Sequence, residues 1–160
     1  MQCYSALNRQ YTIAAYLSKV TDPQLKQTLT KYRLSEHSLA IEKGRHKKTW
    51  LPPEQRLCCH CTSGETETEL HFLTKCEKYK HIRQLHFPKF EALTKGFLNL
   101  TVEEKLPTLL GEDTMSSNLA AVYVSACHRH RDSEQQWHLV DNQNMTFSAN
   151  TQVCTCIYVY

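Results

Sequence analysis

Four of the eight cysteines fall between residues 58 and 76, together with two of the nine histidines. No other feature constrains the fold as strongly. The stretch reads Arg56-Leu57-Cys58-Cys59-His60-Cys61, then an acidic loop, then His71-Phe72-Leu73-Thr74-Lys75-Cys76. Its best parse is C-x2-C-x9-H-x4-C, with Cys58, Cys61, His71 and Cys76 as metal ligands. A C-x2-C turn lets two thiolates converge on one ion, and the second pair must come from a segment folded back against the first. Four N/S ligands close a tetrahedron and leave no place for water, which makes such a site structural. Zinc suits a compact set containing one histidine better than an iron–sulfur cluster does, with copper as the remaining alternative. Cys59 reads as a bystander because Cys59-x-Cys61 is too tight for the usual turn; it and His60 stay open as substitute ligands.

The spacing has a geometric consequence. Two residues five apart on one α-helix point about 140° apart, at about 100° per residue. His71 and Cys76 therefore cannot share a regular helix. His71 is expected in a turn or first helical residues and Cys76 near a break. The rest of the chain reads as mostly α: a small helical domain organised around one zinc knuckle-like turn, with a poorly ordered C-terminal tail. Helices are expected over 6–20, after Pro23 with Leu25, Leu29 and Tyr32 facing inward, and over 69–86 up to an interruption at Pro88. Thr101 and Glu104 match a capping box opening a short helix that ends before Gly111. The last expected helix, 116–131, carries Leu119, Val122, Ala126 and His130 on one stripe. The segments divide as 1–30 N-terminal helices, 31–96 zinc-binding core, 97–131 C-terminal helices and 132–160 tail.

Charge is unevenly spread. Residues 31–56 hold seven basic against three acidic groups, and residues 71–96 hold six against two. Between them, residues 57–70 carry three glutamates and no Lys or Arg. Clustered Lys and Arg are the footprint of a nucleic-acid contact. Lys43, Arg45, Lys47 and Lys48 form one candidate phosphate-binding strip; Lys78, Lys80 and Arg83, with Lys75, form a second. Trp50, Tyr79 and His81 are candidates for stacking on unpaired bases, although Trp50 beside two prolines reads equally well as a core plug. His37 reads either as a residue supporting a metal ligand or as a satisfied core histidine. No stretch reaches 18 consecutive apolar residues, and the N-terminus lacks a signal-type apolar core. The expected setting is intracellular, nuclear or cytoplasmic. No nucleophile elbow, HExxH helix or phosphate loop is present, so no enzymatic activity is expected.

Two motifs in order carry a family resemblance. Tyr32-Arg33-Leu34-Ser35-Glu36-His37-Ser38-Leu39-Ala40-Ile41-Glu42-Lys43-Gly44-Arg45 precedes Arg56-Leu57-Cys58-x-x-Cys61. Glu69-Leu70-His71-Phe72-Leu73-x-x-Cys76-x-x-Tyr79-x-x-x-Arg83 follows. Residues 28–90 resemble the zinc-binding C-terminal region of non-LTR (LINE-type) retrotransposon reverse transcriptases, with a weaker echo over 116–131. The resemblance implies a module binding RNA or DNA, the same four zinc ligands, and packing of His37, Leu39, Ile41, Glu42, Gly44 and Arg45 on the site. It also implies a fragment lacking the family's polymerase and endonuclease regions. Two further readings are a zinc-stabilised module that binds a protein partner and a non-functional retroelement remnant.

Overall fold

The computed structural model describes residues 13–45 and 50–141, with side chains to residue 133. The first half of the expected 6–20 helix, Lys47, Lys48 and most of the 132–160 tail lie outside these residues. The described chain is mostly helical. Of the described residues of the expected 6–20 helix, Tyr16–Lys19 form a single helical turn, α1. Helix α2, Pro23–Arg33, starts where Asp22 accepts hydrogen bonds from the Gln24 and Leu25 amides at 2.8 and 3.1 Å. Pro23 needs no N–H partner at that position. A short helix α3, Ala40–Lys43, leads to Gly44.

After the Cys/His cluster come α4 (Lys80–Leu93), α5 (Val102–Leu109) and α6 (Ser117–Asp141). Pro88 does not interrupt α4, contrary to expectation. It lies with Gln84, Leu85 and Lys89 among the exposed residues, so the Gln84 carbonyl that it leaves unbonded can turn to water. The capping box at α5 forms in full: Glu104 N donates to Thr101 Oγ1, and Thr101 N donates to Glu104 Oε2 at 2.8 Å.

Helix α6 is the spine against which α2, α4 and α5 pack. Its buried residues are Ser117, Ala120, Ala121, Tyr123, Val124, Ser125, Cys127 and Arg131. Val122, expected inside, is exposed, while Leu119 and Ala126 sit at the margin of the core. Partners on more than one side of α6 bury a broad face, and the polar members Ser117 and Arg131 hide that face from a reading by apolar spacing. The helix also continues ten residues past the expected end at 131. Gly111, at φ +72°, turns the chain into this helix; a Cβ there would stand 3.0 Å from Leu29. The core joins Leu29 and Tyr32 of α2 to Phe72, Leu73, Tyr79, Phe90, Phe97, Leu109 and Tyr123. Tyr32 stacks on Phe72 with ring centres 5.3 Å apart, and Phe72 meets Tyr79 edge to face at 4.6 Å. No helix among the described residues is long and apolar enough to cross a membrane.

Three buried arginines tie the helices to the loops. Arg33 donates to the Leu110 carbonyl at 2.6 Å and pairs with Glu112 at 2.8 Å. Arg56 donates to the carbonyls of Ile41 and Leu51, and its side chain lies against Gly44, where a Cβ would come within 2.5 Å. Arg131 forms a forked ion pair with Glu67, and both side chains are almost wholly buried. Glu67 also accepts from the Ala40 amide at 2.6 Å, while Arg131 donates to the Ser38 carbonyl. Removing one partner of such a pair leaves the other charge buried alone, at a cost of about 3–5 kcal/mol. Arg131→Leu is therefore expected to destabilise the chain by that amount in chemical denaturation, and Glu67→Gln with Arg131→Met to recover most of it. A loss under about 1 kcal/mol for the single change would contradict this account.

Candidate metal centre

Residues 56–67 fold back on themselves before the first helical turn of the ligand region. Leu57 and Thr66 form an antiparallel bridge. Cys58 N donates to Glu65 O and Glu67 N to Arg56 O, both at 2.9 Å. Gly64, at φ +68°, closes the loop between them. This short hairpin holds Cys58 and Cys61 at one end.

The other two candidate ligands depend on a π-helical turn, His71–Lys75. Cys76 N donates to His71 O at 2.8 Å, an i→i+5 bond that stacks residue 76 over residue 71. A five-residue spacing that an α-helix would splay is thereby brought to one side. The chain breaks at Cys76 (φ −52°, ψ 122°) and resumes as a 3-10 turn, Glu77–Tyr79. Carbonyls of the turn are held from outside: Tyr123 Oη donates to Leu73 O, and Arg83 Nη2 donates to Lys75 O at 3.1 Å.

The result is convergence. One ligand atom from each of Cys58, Cys61, His71 and Cys76 lies within 4.8 Å of all the others, an arrangement compatible with a metal site. Cys58 Sγ and Cys76 Sγ are 3.9 Å apart, too far for a disulfide, and Cys61 Sγ is 3.3 Å from His71 Nε2. Cys58, His71 and Cys76 are buried and Cys61 is half-buried. The hydrogen bond with Cys76, aided by burial, pushes the Cys58 thiol up to about 12. The same bond lowers Cys76 from the usual thiol value. Burial pulls His71 down, but hydrogen bonds with Cys58 and Glu65 outweigh it and raise the imidazole to about 9.

The remaining expectations sort by geometry. Cys59 is half-buried and not among the converging atoms. His60 is turned toward Lys78, whose Nζ donates to Nδ1 at 3.2 Å, and toward Glu67. His37 holds no metal ligand: its Nε2 lies 2.9 Å from Glu69 Oε1, and its Nδ1 accepts from Leu39 N, so it is a satisfied core histidine. The 35–45 segment packs on the hairpin through Ala40 on Glu67 and Ile41 on Arg56, and on the turn that follows it through Ser35 and His37 on Glu69.

Among the candidate phosphate contacts, Arg45 is exposed and forks onto Glu42 at 2.9 and 3.1 Å. Lys80 is exposed and pairs with Glu77. Lys43 and Lys78 are half-buried, and Arg83 faces inward as a cap of the π-turn. Trp50 is 63% exposed with the Arg56 guanidinium over its ring, which excludes the core-plug reading; Tyr79 is fully buried and offers no face for stacking. The buried roles of Arg56, Glu67 and Arg131 had no signal in the sequence beyond the position of Arg56 next to the first cysteine pair.

No family model, curated protein or solved structure matches the chain. The geometry separates Cys61, inside the cluster, from Cys59, outside it. Cys59→Ser is expected to keep the cobalt(II)-thiolate absorption of the metal-loaded chain, and Cys61→Ser to abolish or strongly reduce it. Equal loss in both would contradict the assignment.

Proposed function

We propose that this chain is a non-catalytic nucleic-acid-binding module folded around one structural zinc ion. The observation that carries the reading is the closed set of three thiols and one imidazole at residues 58, 61, 71 and 76. At zinc–ligand lengths a tetrahedron has S···S edges of about 3.8 Å and S···N edges of about 3.5 Å. The corresponding separations here are 3.9 and 3.3 Å. With four protein ligands the ion has no position for substrate, and its contribution is to cross-link hairpin and π-turn.

The binding role rests on the resemblance to the zinc-binding region of non-LTR reverse transcriptases and on the basic segments that flank the site. Lys43, Arg45, Lys47 and Lys48 would meet phosphates along one segment, and Lys78 and Lys80 along another. Trp50, exposed beside the first of these segments, supplies a stacking face for an unpaired base. Arg83 belongs to the scaffold of the metal turn in this reading.

Binding of a single-stranded RNA to the zinc-loaded chain should weaken linearly on a log–log plot against salt. Lys47→Ala with Lys48→Ala should make that slope shallower by about 1 for each phosphate the chain no longer neutralises. Trp50→Ala should cost about 1–3 kcal/mol with the slope unchanged. Affinity that ignores salt would contradict nucleic-acid binding and favour a protein-binding role for the same zinc-folded scaffold.

A further inference from the structure

We propose that Glu65 is a positioning residue of the metal centre, whose carboxylate holds His71 in the tautomer that presents Nε2 to the ion. The proposal rests on the metal reading above. Nothing in the sequence spacing marks Glu65; it is one of three glutamates in the loop between the ligand pairs.

The hairpin puts it in place. Glu65 O accepts from the amide of one ligand, Cys58, at 2.9 Å. Its Oε2 lies 3.1 Å from Nδ1 of another ligand, His71. One residue thus holds Cys58 through its backbone and His71 through its side chain. The imidazole has two nitrogens, and in the neutral ring one carries the proton while the other carries the lone pair. Nε2 points into the cluster, 3.3 Å from Cys61 Sγ. Nδ1 points the opposite way, to Glu65. A carboxylate at that distance accepts a proton held on Nδ1 and leaves the Nε2 lone pair for a metal, the arrangement by which outer carboxylates orient ligating histidines.

The rest of the environment supports the same orientation. His71 is buried, and its own amide is held by Thr68 Oγ1 at 3.1 Å. Lys75 lies between His71 and Cys76 in the chain. Its Nζ straddles the carboxylate, 3.3 Å from Oε2 and 3.4 Å from Oε1. Glu65 and Lys75 are both well exposed, so their mutual pair alone is worth little. The buried imidazole is where the carboxylate has a geometric effect.

The test uses the full chain and zinc itself, in competition with a chromophoric chelator, for wild type, Glu65→Ala, Glu65→Gln and Lys75→Met. Glu65→Ala should bind zinc about 10–100-fold more weakly. Glu65→Gln should recover part of that loss, because its amide oxygen still accepts a hydrogen bond. Lys75→Met should stay within about fivefold of wild type. A second readout separates positioning from general stability. Long-range proton–nitrogen correlation spectra of the zinc-saturated chain should show His71 Nδ1–H exchanging slowly in wild type and fast in Glu65→Ala, with helicity equal in both. Wild-type affinity in Glu65→Ala, or slow Nδ1–H exchange retained there, would overturn the proposal while leaving the metal reading intact. A wild-type chain that takes up no zinc would overturn both.

Discussion

Cys58, Cys61, His71 and Cys76 reach one point only because residues 71–75 wind as a π-turn instead of an α-turn. The i→i+5 bond from Cys76 to His71 fixes this local geometry. A π-turn is rare and poorly self-sufficient, and this one is braced from two helices. Tyr123 of α6 and Arg83 of α4 each donate to one of its carbonyls. Phe72 and Leu73, inside the turn, are fully buried in the common core. The ligand geometry and the helical packing are thus one problem, solved by the same few residues.

Buried cations are the second recurring device. Arg33, Arg56, Arg131 and Lys105 are all nearly excluded from water, and each donates to backbone carbonyls of loops or helix ends. Buried charges persist only when paired or fully hydrogen-bonded. Here they fasten segments that have little regular structure of their own. The count of basic residues in a sequence segment therefore overstates the charge offered to solvent. Of the seven in residues 31–56, Arg33 and Arg56 are inside. In residues 71–96, Arg83 is inside.

Local chemistry was legible wherever it was carried by residues close in sequence. The grouping of Cys58, Cys61, His71 and Cys76 followed from C-x2-C and H-x4-C, and the impossibility of His71 and Cys76 on one α-helix followed from helical geometry alone. The Thr101–Glu104 capping box and the start of α2 at Pro23 were equally local. What was not legible depended on distant partners. The inner face of α6 was misjudged because Arg131 lies on it, and only Glu67, 64 residues away, explains why an arginine belongs there. The sequence left His37 open between supporting a metal ligand and being a satisfied core histidine, and only its contact with Glu69, 32 residues away, decides for the second. Pro88 resembled a stop because a sequence cannot say that its turn of α4 faces water.

The proposed function stands on one zinc ion folding this chain. The direct measurement is metal content of the purified protein, followed by circular dichroism as a strong chelator removes the metal. The account predicts one zinc per chain and a large loss of helical signal on its removal, reversed when zinc is restored. A metal-free chain with the same helicity and the same cooperative melting would contradict it.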